Sequence, residues 1–252
     1  MKIAVCVKQV PEAGVIKRID PQTKRLDRSG EAGLNAFDAN AVEEALRIKE
    51  AAGEGEIVLV SMGPPRTLDA MRKALAMGAD RAVLVADDDA AGSDLVATSY
   101  LLATVLEREQ PDLVLFGQQA SDSDGAVLWA SVAERLRRPL VSQASELTVE
   151  SGKVQVKRQT EFGYDRIEAP LPAVVAVSDA INEPRYPSLK GIMGAKSKPQ
   201  DVLTAADVGG VETARTTVLD TSPPPSRGDR RRVEGAGAPE AIVEFLVERR
   251  LL

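Results

Sequence analysis

Short β-rich apolar runs alternate with amphipathic helical stripes through the first half of the chain, and this alternation leaves few folds open. The runs are KIAVCV at 2–7, IVLV at 57–60, RAVLV at 81–85 and LVLF at 113–116. They are too short for buried helices and suit strands covered on both faces. Between them, residues 39–51 carry Ala41, Val42, Ala45, Leu46 and Ile48 as one stripe, with Glu43, Glu44 and Lys49 outside it and Asp38 as the candidate N-cap. A second stripe at 67–77 stops at Gly78, and a third at 93–108 begins near the capping candidate Ser93. A further helix is expected at 125–136. Strand–helix alternation of this kind predicts an α/β, Rossmann-like doubly wound fold with a mostly parallel sheet.

The pattern changes after Pro139. Residues 146–150 and 153–160 flank Ser151-Gly152, which predicts an added β-hairpin, and 173–177 returns to a buried strand. From Pro199 the chain turns Pro-, Gly- and charge-rich, with SPPPSRGDRRR at 222–232 and GAGAP at 235–239. This predicts an exposed C-terminal arm. Residues 240–252 then form a short amphipathic helix with Ile242, Val243, Leu246 and Val247 on one side. The expected division is an α/β domain over 1–199 and an arm with a terminal helix over 200–252.

Two absences exclude a good deal of chemistry. The 252 residues include no histidine, so histidine general-base and Ser–His or Cys–His nucleophilic schemes are closed. The single cysteine, Cys6, excludes internal disulfides and cysteine-held clusters, and its place in an apolar strand predicts a buried, inert thiol. Aromatics at 3% and a net charge of −6 argue against nucleic-acid binding, and Arg230, Arg231 and Arg232 read as a solvated patch. Asp87, Asp88 and Asp89 read as a solvated turn, because three consecutive carboxylates converge poorly on one ion. No apolar run reaches the roughly 20 residues of a membrane span. The apolar N-terminus meets Pro11 and Glu12 without a cleavage signal, so a cytoplasmic location is expected.

Two segments stand out as functional candidates. The first is GQQASDSDGAVL: Gly117, Gln118, Gln119, Ala120, Ser121, Asp122, Ser123, Asp124, Gly125, Ala126, Val127 and Leu128. It follows a strand and leads into a helix, where ligands bind in open parallel sheets and where helix N–H groups favour anions. Ser121 and Ser123 offer hydroxyls, whereas Asp122 and Asp124 suit a helix cap, a ribose or a backbone amide. The residues alone fit a plain capped loop and a phosphate cradle equally, and neither GxGxxG nor GxxxxGK[ST] occurs. The second segment is NEPRYPSLKGIMGAKSK at 182–198. Pro184 and Pro187 stiffen the backbone around Tyr186, and Leu189, Ile192 and Met193 follow at helical spacing among Lys190, Lys196 and Lys198. Apolar side chains ringed by lysines suit the grip of another protein, while the plainer reading is a surface connection with a core-packed helical turn.

This second segment, with VKRQTEFGYDRIEAPLPAVVAV before it, resembles the signature of electron transfer flavoprotein β subunits. VCVKQVPE at 5–12, NAFDANAVEEALRIKE at 35–50 and ALAMGADRAVLV at 74–85 match the same family in order and spacing, so the resemblance covers most of 1–198. It implies an electron carrier rather than an enzyme. Such a subunit binds AMP structurally, pairs with an α subunit that holds most of the FAD, and exchanges electrons with acyl-CoA and related flavin dehydrogenases and with ETF-quinone oxidoreductase. The family's nucleotide contacts fall on Cys6, on Asn35, Ala36, Phe37 and Asp38, on Met62 and on the 117–128 loop. Its dehydrogenase-docking element falls on Tyr186, Leu189, Lys190, Ile192 and Met193, with Leu189 as the anchor. The chain departs from the pattern at Ala36 (usually Pro), at Gln118 (usually Lys), at 125–127 (often more polar) and at Ala13, where some relatives place a tyrosine facing the flavin. Two rivals remain: an electron-bifurcating form with a second FAD in place of AMP, and a universal-stress-type nucleotide-binding regulator, which would lack the 182–198 signature.

Overall fold

The computed structural model describes residues 1–222 and 232–252. Its larger unit, Met1–Leu219, is built on a sheet with the first strand in the chain, β1 (Lys2–Cys6), in its interior. β4 (Glu56–Met62), β5 (Arg81–Val85) and β11 (Gln200–Leu203) lie on one side of β1. On the other side are β6 (Leu113–Gly117), β10 (Ala173–Val177), β7 (Leu140–Glu150), β8 (Lys153–Thr160) and β9 (Gly163–Pro170). Pairing is parallel from β11 through to β10 and β7, and antiparallel from β7 to β8 to β9.

Alternating side chains of β1 divide the core into two layers. Ile3, Val5 and Val7 face α1 (Ala36–Ala52) and α2 (Thr67–Met77), whereas Ala4 and Cys6 face α3 (Leu95–Glu109) and α4 (Leu128–Leu136). Fully buried side chains such as Ile3, Leu59, Leu75, Leu101 and Leu115 each contribute about 1.5–3 kcal/mol. The doubly wound class expected from the alternation is present, and several boundaries differ. Asp38 lies inside α1, whose N-cap is Asn35; α3 is capped by Asp94 rather than Ser93; and α4 begins at Leu128 rather than at 125. Glu43 and Glu44, expected outside the α1 stripe, are buried.

The hairpin is larger than expected. β7 starts at Leu140, lies beside β10, and then departs at a register shift to pair with β8, while β9 adds a third antiparallel strand. Residues 200–203, expected to open the arm, instead form the edge strand β11 on β5. The connection from β10 to β11 therefore crosses the sheet past β6, β1, β4 and β5, about 24 Å at normal strand spacing, on the α1/α2 face. A short pair, β2 (Gln9–Pro11) and β3 (Ala32–Leu34), closes a polar excursion between them. Asp87 N-caps a 3-10 turn and also accepts the Ala205 N–H at 2.9 Å, so it fastens the segment after β11, whereas Asp88 and Asp89 are exposed, as expected of a solvated turn. The second unit, Asp220–Leu252, contains α6 (Ala238–Glu248), where Ile242, Val243, Phe245 and Val247 are exposed. Arg230, Arg231 and most of the 222–232 stretch lie outside the described residues.

Candidate functional site

The chain order reverses at β1: β4 and β5 are added on one side, and β6 on the other. The carboxyl ends of β1 and β6 therefore open a switch-point crevice, the place where open α/β sheets bind ligands. The 117–128 loop leaves β6 there, and the N-terminus of α1 closes the floor.

Asp38 is the floor's central group. Its carboxylate accepts the Lys8 backbone N–H at 2.7 Å and Asn35 Nδ2 at 3.0 Å. Burial pushes the carboxyl up to about 7, against the opposing pull of these donors and of the Gly117 N–H. Asn35, also buried, donates to the Gln119 carbonyl at 2.8 Å and accepts the Ser121 N–H at 3.3 Å. Asn35 and Asp38 thus tie the ends of β1 and β6 to α1. Asp38 does not cap the helix, as the sequence suggested; it anchors the crevice. Burial, and then the negative Asp38, raise the Cys6 thiol well above its ordinary value, so it stays protonated and inert, as expected.

Cations surround the loop above this floor. Lys8 Nζ pairs with Asp122 at 2.9 Å and reaches Ser123 Oγ at 3.1 Å. Arg28 pairs with the other Asp122 oxygen, and Lys17 Nζ donates to the Ser121 carbonyl. Burial alone would raise Asp122; the two cations outweigh it and hold the carboxyl below its usual range. Asp122 is therefore a strut and not a cap. The first turn of α4, with Val127 at its N-cap position, has no side-chain cap; the Ala130 and Ser131 N–H groups donate to the Val127 carbonyl, which leaves those of Leu128 and Trp129 to an anion. Gln118 is engaged: its Oε1 accepts the Gln143 N–H at 2.8 Å, and its carbonyl accepts from Trp129 Nε1 at 3.2 Å. Asp124 and Ala126 adopt left-handed backbone, with φ of 45° and 46°. Met62 ends β4 at the same carboxyl edge of the sheet, and Ala36 and Phe37 form the opening turn of α1.

The two glycines of the loop differ. A Cβ at Gly117 would lie 2.5 Å from Asp38 Oδ1 and 2.6 Å from the Phe37 carbonyl carbon, so Gly117 is required by the approach of α1. A Cβ at Gly125 would meet nothing within 4 Å, which leaves open space beside the uncapped helix.

The 182–198 segment forms a second surface. α5 (Leu189–Ala195) is capped by Ser188, whose Oγ accepts the Gly191 N–H at 3.0 Å. Tyr186, Leu189, Ile192 and Met193 are 94%, 75%, 54% and 70% exposed, so these apolar residues point outward and are not a core-packed turn. Lys190 and Lys196 are exposed beside them.

A family model described as "Electron transfer flavoprotein domain" matches residues 23–208. The chain is 40% identical over 264 residues to "Electron transfer flavoprotein subunit beta" of Mycobacterium tuberculosis (strain ATCC 25618 / H37Rv), covering 99% of each protein. The chain belongs to the electron transfer flavoprotein β-subunit family. It is also 38% identical over 265 residues to the β subunit of Megasphaera elsdenii, covering 99% of this chain and 97% of that one. It is 37% identical over 263 residues to "Caffeyl-CoA reductase-Etf complex subunit CarD" of Acetobacterium woodii, covering 100% of each.

Membership makes this β subunit a carrier component of a flavin-based electron transfer complex rather than an enzyme, with an α subunit and dehydrogenases as partners. No helix among the described residues is long and apolar enough to cross a membrane. The crevice residues fit a phosphate-bearing ligand: one loop carries an uncapped helix start and open space at Gly125, and Lys8 and Arg28 together exceed the charge of the Asp122 carboxylate that they share. Sequence reasoning missed Lys8, Lys17 and Arg28, although Lys8 follows β1 directly. It also missed Arg185, whose only sequence signal was its place between two prolines.

Proposed function

We propose that this β subunit binds AMP at the switch point, completes an FAD-bearing αβ pair, and carries electrons from acyl-CoA and related flavin dehydrogenases toward the respiratory chain through ETF-quinone oxidoreductase, in the cytoplasm. The observation that carries this reading is the outward-facing apolar quartet on and beside α5, flanked by the exposed Lys190 and Lys196; Lys198, expected in the same ring, turns inward to the end of α2. Bound FAD would supply the one-electron chemistry. The chain's own residues would hold the nucleotide phosphate at the 117–128 loop, keep Asp38 and Cys6 beneath it away from water, and present Leu189 to the dehydrogenase. Asn35, Ala36, Phe37, Asp38, Cys6 and Met62 would line the rest of the crevice. α6 would dock on the α subunit, and its exposed apolar residues support that role.

Likeness to a caffeyl-CoA reductase–Etf complex subunit favours a second reading, in which a second FAD occupies the crevice in an electron-bifurcating assembly. Nucleotide analysis of the denatured αβ pair separates the two: one FAD and one AMP support the first, two FAD the second. Leu189→Ala tests the docking surface. Losing a buried leucine contact costs about 2 kcal/mol, roughly thirtyfold in affinity. KM for the flavoprotein with an acyl-CoA dehydrogenase as donor should rise accordingly, while melting temperature and nucleotide content stay at wild type. A large fall in melting temperature with unchanged KM would remove Leu189 from the surface.

A further inference from the structure

α5 is one of the shortest helices in the fold, yet both of its flanks are fastened to longer ones. On the N-terminal side, Arg185 lies across α1. Its Nε and backbone N–H donate to Glu43 Oε2 at 2.7 and 3.1 Å, its Nη2 donates to Glu43 Oε1 at 3.0 Å, and both terminal nitrogens reach Glu50, at 2.5 and 3.0 Å. Burial would raise the Glu43 carboxyl, but Arg185 and then Arg47 hold it below its usual range, so the pair stays charged. This explains why Glu43 is buried at all. Asn182, just upstream, is bonded in the same way to Asn40 and Glu44. On the C-terminal side, Lys198 Nζ donates to the Leu75 and Ala79 carbonyls, at 2.9 and 2.5 Å, at the end of α2. Between the two, Gly191 lies so close to α2 that a Cβ would sit 2.3 Å from the Ala76 carbonyl oxygen.

We propose that Arg185 and Lys198 are positioning residues for partner docking: they fix the flanks of α5 on α1 and α2 so that its apolar side chains meet a flavin dehydrogenase already ordered. This rests on the docking reading given above. Neither residue needs to touch the partner. A surface held in its bound form avoids the ordering cost of association, so loosening it should weaken encounter affinity and leave the electron-transfer step alone.

The test uses the αβ pair with a medium-chain acyl-CoA dehydrogenase as electron donor, and the variants Arg185→Met, Arg185→Lys, Lys198→Met and Leu189→Ala. Arg185→Met and Lys198→Met should raise KM for the flavoprotein about tenfold. Their kcat and flavin spectrum should match wild type. Amide exchange should quicken over 186–195 and remain slow in α1 and α2. Arg185→Lys should fall between, because one ammonium cannot span Glu43 and Glu50 as the guanidinium fork does. Wild-type KM in both methionine variants, with Leu189→Ala impaired, would overturn the positioning roles alone. Wild-type KM in Leu189→Ala would overturn the docking reading on which they rest. Exchange that quickens throughout α1 would show a general structural role and would also overturn the proposal.

Discussion

At the scale of single residues, the crevice is governed by one buried carboxyl. Asp38 titrates near 7 in the folded chain against an ordinary 3.8, so the folded state holds this proton more tightly than the unfolded state. Its contribution to stability is complete below the ordinary value and is lost as pH rises through about 7, on the order of 4 kcal/mol in all. Asparagine cannot ionise. Between pH 5 and pH 8 the urea midpoint of the wild-type chain should therefore fall relative to that of Asp38→Asn; a constant difference would show that Asp38 does not titrate there. None of this was legible in the sequence, where Asp38 has the look of a helix cap. Its partners Lys8 and Gly117 lie far along the chain, and only the sheet order brings them together. The roles of Lys8, Lys17 and Arg28 are hidden for the same reason: they meet the loop across 94 to 115 positions of sequence.

Among the elements, the loop after β6 shows how one glycine serves packing and another leaves room. Gly117→Val would drive a side chain into Phe37 and Asp38, and should cost about 1–3 kcal/mol or more because the obstruction includes backbone. Gly125→Val enters open space, so its melting temperature should match wild type while AMP content of the αβ pair falls. Wild-type AMP content in Gly125→Val would remove this part of the loop from the phosphate site. The buried strands were legible because both faces are covered, which leaves continuous apolar runs such as RAVLV. β9 was not: most of its residues are exposed, and Tyr164, Asp165 and Arg166 show no apolar alternation. β11 was hidden likewise. It is an edge strand with polar Gln200 and Asp201, and its pairing with β5 depends on a partner more than a hundred residues away. Glu43 and Glu44 were placed outside the stripe because nothing local reveals that residues 182–185 cover them.

For the whole molecule, the division after Leu219 separates a self-contained sheet from a segment with its own exposed apolar helix. A chain ending at Leu219 should melt within a few degrees of full length and lose affinity for the α subunit, measured by analytical ultracentrifugation; unchanged affinity would free α6 from the interface. The crossing connection from β10 to β11 has a different consequence, which concerns survival of the subunit before it finds its partner. Lys190 is exposed on that connection, within α5, and a trypsin-like protease reaches the bond after it only when α5 opens. One cut there leaves β11 joined to the sheet only by its ladder with β5 and by the contacts of its flanks. Should β11 peel away, β5 becomes a bare parallel edge of Val83, Leu84 and Val85, the kind of template on which chains aggregate. The same segment that we propose faces the dehydrogenase thus also guards a sheet edge, and a bound partner would shelter both at once.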